Sequence, residues 1–270
     1  MSDLEHLHST LLILADELDR VCKENDIKYS LTGGSMLGAV RHQGFIPWDD
    51  DMDIALTRDN YEKLLLCADK FKSDFFLQTN MSDVNYYYGY SKLLLRETVT
   101  IENGHENTKY QKGIFIDIFP LDNVPNNSKM RRKQRMTNYF LQKILRQKMS
   151  ISANPEWGIK EKIIFKILGI LACFLNGSKL VTKLNKNMRL VENQESKYIT
   201  NLCGMYGYDK EIAEKRWFLQ YENIQFEDRK YMVIKNHIDY LTKIYGNFMQ
   251  IPPVEKRHTH EFQTIEFGRY

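Results

Sequence analysis

Residues 46–56 read IPWDDDMDIAL, which places four carboxylates within five successive positions. On an extended backbone successive side chains point to opposite faces, so Asp49, Asp51 and Asp53 share one face. Three like charges on one face repel each other, and carboxylate oxygens are ligands that suit Mg2+, Mn2+ or Ca2+. The stretch therefore predicts a strand that carries a divalent-cation site, with these three aspartates as ligands.

Two other interpretations of this acidic run are weaker. A calcium loop of the EF-hand type needs a glycine at its sixth position and a glutamate at its twelfth, but counting from Asp49 these positions hold Ile54 and Asn60. A solvated acidic turn would not lead into an apolar alternation such as Met52, Ile54 and Leu56, which is typical of a half-buried strand. Because charged residues rarely share a buried strand without partners, a metal site is favoured.

The composition is that of a soluble globular protein. The chain has 270 residues, of which 43% are apolar and 27% charged, enough for one large domain or a domain with an insertion. The four cysteines are far apart and form no Cys-x-x-Cys pair, so we expect neither a zinc site nor a disulfide framework. The first residues lack the basic and then apolar profile of a secretory signal, which predicts a cytoplasmic location.

The periodicity of apolar residues predicts an α+β fold. Residues 4–25 repeat leucine and valine at spacings of three and four, which is typical of an amphipathic helix. Further helices are predicted at 36–41, 59–72 and 232–245, and strands at 27–31, 51–56, 75–79, 86–96 and 112–120.

Basic residues are concentrated in one segment of helical pattern. Residues 126–190 contain fifteen Lys and Arg against only Glu156 and Glu161, a net charge of +13, while the rest of the chain carries −10 of the overall +3. The most apolar part of the segment, residues 163–175, is shorter than the ~20 residues that a membrane-spanning helix needs. We expect this part to be a core helix or an interfacial one.

Three features fit a single phosphate site. The Gly-Gly-Ser turn at residues 33–35 opens a helix, and the backbone N–H groups and positive dipole end of a helix N-terminus can hold a phosphate. Asp51 and Asp53 follow within twenty residues, and a later apolar strand carries the single carboxylate Asp117. A cation that bridges the same phosphate is what nucleotide-phosphate chemistry requires, because catalysis there is mostly positioning and charge neutralisation.

Residues 33–53, GGSMLGAVRHQGFIPWDDDMD, resemble the signature of the LicD family, to which the fukutin-related transferases are also similar. The resemblance covers the N-terminal helix and reappears in residues 113–122. Matching single positions are Tyr29, Asp59, Tyr61, Pro252, Pro253, Glu255 and Arg257. It implies a nucleotidyltransferase-like core at residues 1–125 with a small mixed sheet, a basic helical insert at 126–195, and a C-terminal part at 196–270 that completes the core and the substrate site.

The resemblance also implies an activity. LicD-type enzymes transfer phosphocholine from CDP-choline to a sugar hydroxyl of a cell-surface glycan, teichoic acid or lipopolysaccharide, with CMP as the leaving group. The same core could instead transfer another CDP-activated phospho-alcohol, such as ribitol phosphate. An alternative from another class is a non-catalytic, calcium-dependent glycan-binding module, against which the failed EF-hand spacing and the Gly-Gly-Ser turn argue.

The expected cofactor is Mg2+, with Mn2+ as the alternative ion. On the family pattern Asp51 and Asp53 are metal ligands, Asp49 is a further ligand or a partner of one, and Asp117 is the third carboxylate. Asp117 would complete the metal site or accept the proton of the acceptor hydroxyl. These roles make Asp51, Asp53 and Asp117 the predicted catalytic residues.

The predicted substrate contacts surround these carboxylates. Phosphate is expected to bind Gly33, Gly34 and Ser35, with Arg41, Lys92 and Arg257 as cationic partners. His258 and His260 are either substrate contacts or polar residues of an extended tail. The quaternary ammonium of choline forms no hydrogen bonds, so aromatic faces and an occasional carboxylate are expected to hold it. The candidate walls are Trp48, Tyr86, Tyr87, Tyr88 and Tyr90, although aromatic residues in strands are more often core packing.

The basic insert predicts an anionic partner. It suits peripheral contact with an anionic membrane at the inner face, where a lipid-linked glycan precursor would be found, or recruitment of the anionic glycan itself. No nucleic-acid recognition motif accompanies it, so we expect no nucleic-acid partner.

Overall fold

The computed structural model describes residues 2–257 and 262–270, and within them helices surround a mixed β-sheet. The predicted α+β fold is confirmed. The helices are α1 (Asp3–Glu24), α2 (Gly33–His42), α3 (Arg58–Leu66), α4 (Ser128–Lys148), α5 (Ile159–Cys173), α6 (Gly177–Met188), α7 (Tyr208–Glu211) and α8 (His237–Tyr245). The strands are β1 (Ser30–Leu31), β2 (Asp53–Thr57), β3 (Phe75–Gln78), β4 (Ser91–Leu95), β5 (Val99–Glu102), β6 (Phe115–Asn123), β7 (Tyr198–Asn201), β8 (Ala213–Glu214), β9 (Tyr221–Phe226), β10 (Arg229–Ile234) and β11 (Phe262–Glu266).

The central sheet places β2 and β6 side by side. Its strand order is β1-β2-β6-β4-β3, with β7 also paired to β6 and β8 paired to β7. β2 and β6 run parallel, and the other neighbouring strands run antiparallel. Two small antiparallel pairs, β9 with β10 and β5 with β11, lie outside this sheet. The C-terminal part of the chain therefore extends the sheet that the N-terminal part begins.

Helix α1 covers one face of the sheet, and its sequence explains its start and orientation. Ser2 caps the helix by accepting a hydrogen bond from the Glu5 N–H at 3.2 Å, while the Glu5 carboxylate accepts from the Ser2 N–H at 2.7 Å. The leucines and valine predicted to share one face are buried in the main core: Leu7, Leu11, Leu14, Leu18 and Val21. The amphipathic pattern thus directs α1 onto the sheet.

Helices α4, α5 and α6 pack around an apolar cluster of their own. Its buried members include Leu141 and Leu145 from α4, Ala172 from α5, and Leu180 and Leu184 from α6. No single helix in the described parts of the chain is long and apolar enough to cross a membrane, although α5 and α6, bent by 119° at their junction, pass that test as a pair. Because α6 buries its apolar side in the cluster, its apolar residues are already used in packing.

Several predicted boundaries were wrong. The predicted helix at 232–245 begins only at His237, because residues 229–234 pair with β9 as a strand. The predicted strand at 86–96 is confined to β4, and the tyrosines before it pack into a cluster instead of a ladder. The predicted helix at 59–72 ends at Leu66 and gives way to a 3-10 turn, Ala68–Lys70.

A buried ion pair ties α3 to β6. Arg58 donates two hydrogen bonds to Asp122, from Nε at 2.8 Å and from a terminal nitrogen at 2.6 Å. Burial disfavours the charged guanidinium, but the charge and hydrogen bonds of Asp122 outweigh this effect and raise the pKa of Arg58. Glu62 accepts from both Arg58 and Arg189, so the same group of charges reaches the end of the insert.

Replacing Asp122 by Ala should destabilise the protein by about 3–5 kcal/mol, because Arg58 would be left buried without its partner. The free energy of unfolding would be measured by urea denaturation. Asp209→Ala is the control, since Asp209 pairs with Arg135 at the surface, where such pairs contribute at most about 1 kcal/mol. Equal losses from the two variants would contradict a structural role for the buried pair.

Candidate functional site

The register of the sheet brings charged residues from three strands into one row. Asp53 on β2 lies opposite Asp117 on β6, which lies opposite Lys92 on β4. Residues directly opposite each other in a sheet point to the same face, so the three side chains form a line across it. Thr32 extends the row, because its N–H donates to the Asp53 carbonyl at 3.0 Å.

Burial alternates along the acidic run as the sequence predicts. Asp49, Asp51 and Asp53 are half-buried, whereas Asp50 and Met52 between them are buried. The predicted separation of the run into two faces is therefore confirmed, although β2 itself begins only at Asp53.

The Gly-Gly-Ser turn lies against two of these carboxylates. Gly33 has φ +54°, and a Cβ added to it would meet Asp53 Oδ2 at 3.1 Å. A Cβ at Gly34 would meet Asp49 Oδ2 at 2.5 Å. The Ser35 hydroxyl accepts a hydrogen bond from the Asp53 N–H at 2.8 Å, which leaves its own O–H free to donate to a ligand. The Gly33 position favours glycine because of its positive φ, whereas a Cβ at Gly34 would meet only the end of the Asp49 side chain.

Asp53 experiences the negative charge of several neighbouring carboxylates. Burial raises the pKa of Asp53 well above its ordinary value, and the charges of Asp51, Asp117 and Asp49 raise it further. In the described part of the chain, no three His, Cys, Asp or Glu side chains stand close enough together to hold a metal ion as they are. The metal ligands therefore stay a prediction, and the donor chemistry that they offer is all carboxylate oxygen.

Comparison with known proteins agrees with this arrangement. Residues 26–150, which contain the turn, the acidic run and Asp117, match the family described as LicD/FKTN/FKRP, nucleotidyltransferase domain. The chain is also 29% identical over 267 residues to the lipopolysaccharide cholinephosphotransferase LicD of Haemophilus influenzae, covering 93% of each protein. The chain is therefore similar to the LicD family over residues 26–150, and to this cholinephosphotransferase over nearly its whole length.

Shorter matches fall on two further proteins. Over 51 residues the chain is 43% identical to uncharacterised proteins of Rickettsia prowazekii and Rickettsia typhi, which is 19% of this chain and 19% and 16% of those proteins. These matches add no information on activity, because neither protein is characterised.

Lys92 was predicted to contact phosphate, but it is buried between carboxylates. Its Nζ lies 3.3 Å from Glu102 Oε2 and 3.7 Å from Asp117 Oδ1. Burial lowers the pKa of Lys92, but the charges of Asp117 and Glu102 outweigh burial and raise it. His105 contacts the same Glu102 carboxylate at 3.0 Å. Lys92 therefore stabilises the row of carboxylates. Glu102, at the end of β5, and His105, three residues later, were missed because isolated charged residues carry no sequence signal.

Arg41 and Arg257 both lie on the side of the site that α2 and the acidic run form. Arg41 donates to the Phe248 carbonyl at 2.9 Å. Burial lowers the pKa of Arg41, and the charge of Asp49 opposes this shift. The Arg257 guanidinium stacks on Trp48, with its Cζ 4.1 Å from the ring centroid. One face of Trp48 is thus already covered by a cation. The other predicted tail residues, His258 and His260, lie outside the described residues.

The tyrosine cluster lies beside Asp117 on the other side of the row. Tyr86 and Tyr110 are buried, and Tyr86 and Tyr88 pack at a ring distance of 5.2 Å. Tyr90 and Tyr88 are half-buried, with ring centroids 5.0 Å apart. The Tyr90 ring packs on Phe119 with ring centroids 4.7 Å apart, and Phe119 lies two residues after Asp117 on β6, so it points to the same face. Burial raises the pKa of Tyr90, and the charge of Asp117 raises it further. Tyr87 instead lies against the insert. A Cβ added to Gly177 would come within 2.6 Å of the Tyr87 ring.

The C-terminal part supplies a second group of tyrosines near Asp53. The hydroxyls of Tyr206 and Tyr245 are 2.6 Å apart, and the Tyr240 hydroxyl is 3.0 Å from Thr32 Oγ1. Burial raises the pKa of Tyr206 to about 12, and the charge of Asp53 contributes. The sequence offered no signal for this group, because its members are 150 residues or more from the acidic run.

Substitution by alanine should lower stability to different extents at two glycines of α2. Gly34→Ala would press only on the movable Asp49 carboxylate, so we expect little loss of stability. In Gly38→Ala the new Cβ would lie 2.4 Å from the Gly44 carbonyl, which is backbone, so overpacking should cost about 1–3 kcal/mol. Thermal denaturation of both variants checks this. A large loss in Gly34→Ala would mean that the turn serves the fold rather than the site.

Glu211 should make stability depend on pH. Burial raises its pKa from 4.5 to about 7, although a hydrogen bond from the Tyr206 N–H at 3.2 Å opposes the shift. The folded protein therefore holds this proton more tightly, and stability is lost as pH rises from about 4.5 to about 7, by about 3 kcal/mol. Glu211→Gln should abolish that loss in denaturation measured across this range, whereas the exposed Glu266→Gln should leave it. If Glu211→Gln lost stability with rising pH as steeply as wild type, Glu211 would not be the group responsible.

Proposed function

We propose that this protein transfers phosphocholine from CDP-choline to a sugar hydroxyl of a cell-surface glycan precursor and releases CMP. The observation that carries the proposal is the row of Asp53, Asp117 and Lys92 beside the glycine turn of α2. The name of the Haemophilus influenzae relative supports phosphocholine as the transferred group and lipopolysaccharide as the kind of acceptor. A teichoic acid precursor is the other acceptor of the same chemistry.

The reaction makes one bond and breaks one. The acceptor oxygen forms a bond to the choline-bearing phosphorus, the bond from that phosphorus to the CMP oxygen breaks, and the hydroxyl proton passes to a base. Asp117 is the candidate base where it does not hold the cation. Lys92, held between Asp117 and Glu102, fixes the orientation of that carboxylate.

A divalent cation, Mg2+ or Mn2+, fits the residues present. The donor set consists of hard carboxylate oxygens from Asp49, Asp51, Asp53 and Asp117. Burial and then the charges of the other three carboxylates raise the pKa of Asp53, and a cation would offset those charges. The bound ion would neutralise charge on the diphosphate during transfer.

The chain's own groups position the donor phosphates. The Gly34 N–H and the Ser35 O–H lie at the N-terminus of α2, whose dipole favours an anion. Arg41 uses part of its guanidinium on the Phe248 carbonyl, and its remaining N–H donors can pair with a phosphate oxygen. Arg257, stacked on Trp48, provides a second cation at the same side.

Tyr88 and Tyr90 are the candidate walls for the choline headgroup. Both residues are half-buried, and Asp117, two residues before the Phe119 on which Tyr90 packs, supplies negative charge that attracts a quaternary ammonium. Tyr86 is fully buried and supports these rings from behind. Trp48 is a weaker candidate, because Arg257 covers one of its faces.

Asp53→Asn and Asp117→Asn should each lower the rate of CMP release from CDP-choline by about a thousandfold or more, because each removes a charge needed to bind the cation or to accept the proton. Release of CMP would be followed with Mg2+ and with EDTA. Asp69→Asn, an exposed aspartate of the 3-10 turn that follows α3, is the matched control and should keep wild-type activity.

The donor headgroup is tested in the same assay. CDP-choline should be turned over faster than CDP-ribitol, and Tyr90→Ala should raise the KM for CDP-choline more than that for CDP-ribitol. Equal turnover of both donors would support transfer from CDP-alcohols in general and contradict a preference for choline. No Mg2+-dependent CMP release from either donor, with a lipopolysaccharide or teichoic acid acceptor present, would contradict the proposal.

A further inference from the structure

Helix α5 has two apolar sides, and only one of them is covered. Phe165 and Ala172 are buried, and Leu168 packs against the cluster between α4 and α6. The opposite side carries five large apolar residues that remain exposed by more than half: Ile159 (79%), Ile163 (53%), Ile167 (59%), Ile170 (66%) and Phe174 (83%). We call these five residues the isoleucine stripe.

The spacing of the stripe makes it one continuous surface. Its members are separated by four, four, three and four residues, so at about 100° per residue they lie within an arc of about 80°. A helix that is apolar on all sides is normally buried on all sides. An exposed apolar surface that runs along a whole helix indicates an interaction site.

The charges around the stripe indicate the partner. Lys160 lies beside one edge of the stripe, and Lys162 and Lys166 lie beside the other, by their positions on the helix, and all three are exposed. Glu161 falls on the opposite side of the helix by the same count. The whole segment 126–190 carries a net charge of +13, so a second copy of this surface would be repelled and an anionic one attracted.

We propose that α5 docks the protein on an anionic lipid bilayer, with the isoleucine stripe in the acyl boundary and the flanking lysines among the headgroups. This geometry is that of an amphipathic helix lying in the plane of the interface. The docking does not depend on which group the enzyme transfers, and it goes beyond the proposed function. It would hold the enzyme at the surface where a lipid-anchored acceptor is found.

Flotation of the full chain with lipid vesicles tests the docking. The protein should float with vesicles of equimolar phosphatidylcholine and phosphatidylglycerol at low salt and remain behind with phosphatidylcholine alone. In Ile163→Gln/Ile167→Gln, each lost isoleucine should lower the partition coefficient roughly tenfold or more. Lys160→Gln/Lys162→Gln/Lys166→Gln should lower it by about a hundredfold at low salt.

The control is Leu66→Gln/Leu219→Gln, which removes two residues of comparable exposure, 83% and 74%, from elsewhere and should bind like wild type. Circular dichroism would show that each variant is folded, as expected for exposed positions. Failure of wild type to bind anionic vesicles, or equal binding by the isoleucine variant, would overturn the proposal. So would a wild-type dimer in sedimentation that the isoleucine variant converts to monomer, because a second copy would then cover the stripe. None of these readouts uses a donor substrate, so failure here is distinguishable from failure of the proposed transfer.

Discussion

Repulsion among the carboxylates around Asp53 is the constraint on which the rest of the site depends. Ionised Asp53 stands near Asp49, Asp51 and Asp117 in a partly buried position, which is unfavourable unless positive charge balances it. The fold supplies some of that balance with the α2 N-terminus and with Lys92. The proposed cation would add further positive charge at the same carboxylates and so link them to a diphosphate.

The parallel pairing of β2 and β6 fixes the relative positions of two of these carboxylates. A parallel pair in register fixes Asp53 and Asp117 at neighbouring positions on one face, and no loop movement can separate them without breaking the ladder. The Ser35 hydroxyl accepts from the Asp53 N–H and so ties the glycine turn to the same strand. A site built on strands in this way is held more rigidly than one built on loops.

Local patterns in the sequence predicted the parts of this site, but not how they meet. The acidic run, the glycine turn and the lone Asp117 are short-range signals, and each lies where its pattern indicates. The position of Lys92 between Asp117 and Glu102 depends on strand register and on a loop, which no local pattern encodes. The hairpin of β9 and β10 was missed in part because its turn, Glu227-Asp228, lacks the Asn-Gly or Asp-Gly signal.

Negative and positive charges are concentrated in different parts of the structure. Carboxylates are concentrated beside the sheet, where a cation and an anionic donor would meet, and lysines and arginines are concentrated in α4, α5 and α6. The insert has its own apolar cluster, so its surface can carry a large positive charge without disturbing the packing of the main core. Asn138 of α4 donates to the Leu202 carbonyl at 2.6 Å, and Leu202 directly follows β7. β7 pairs with β6, the strand that carries Asp117. The insert is therefore connected to the carboxylate row through the hydrogen-bonded pair of β7 and β6.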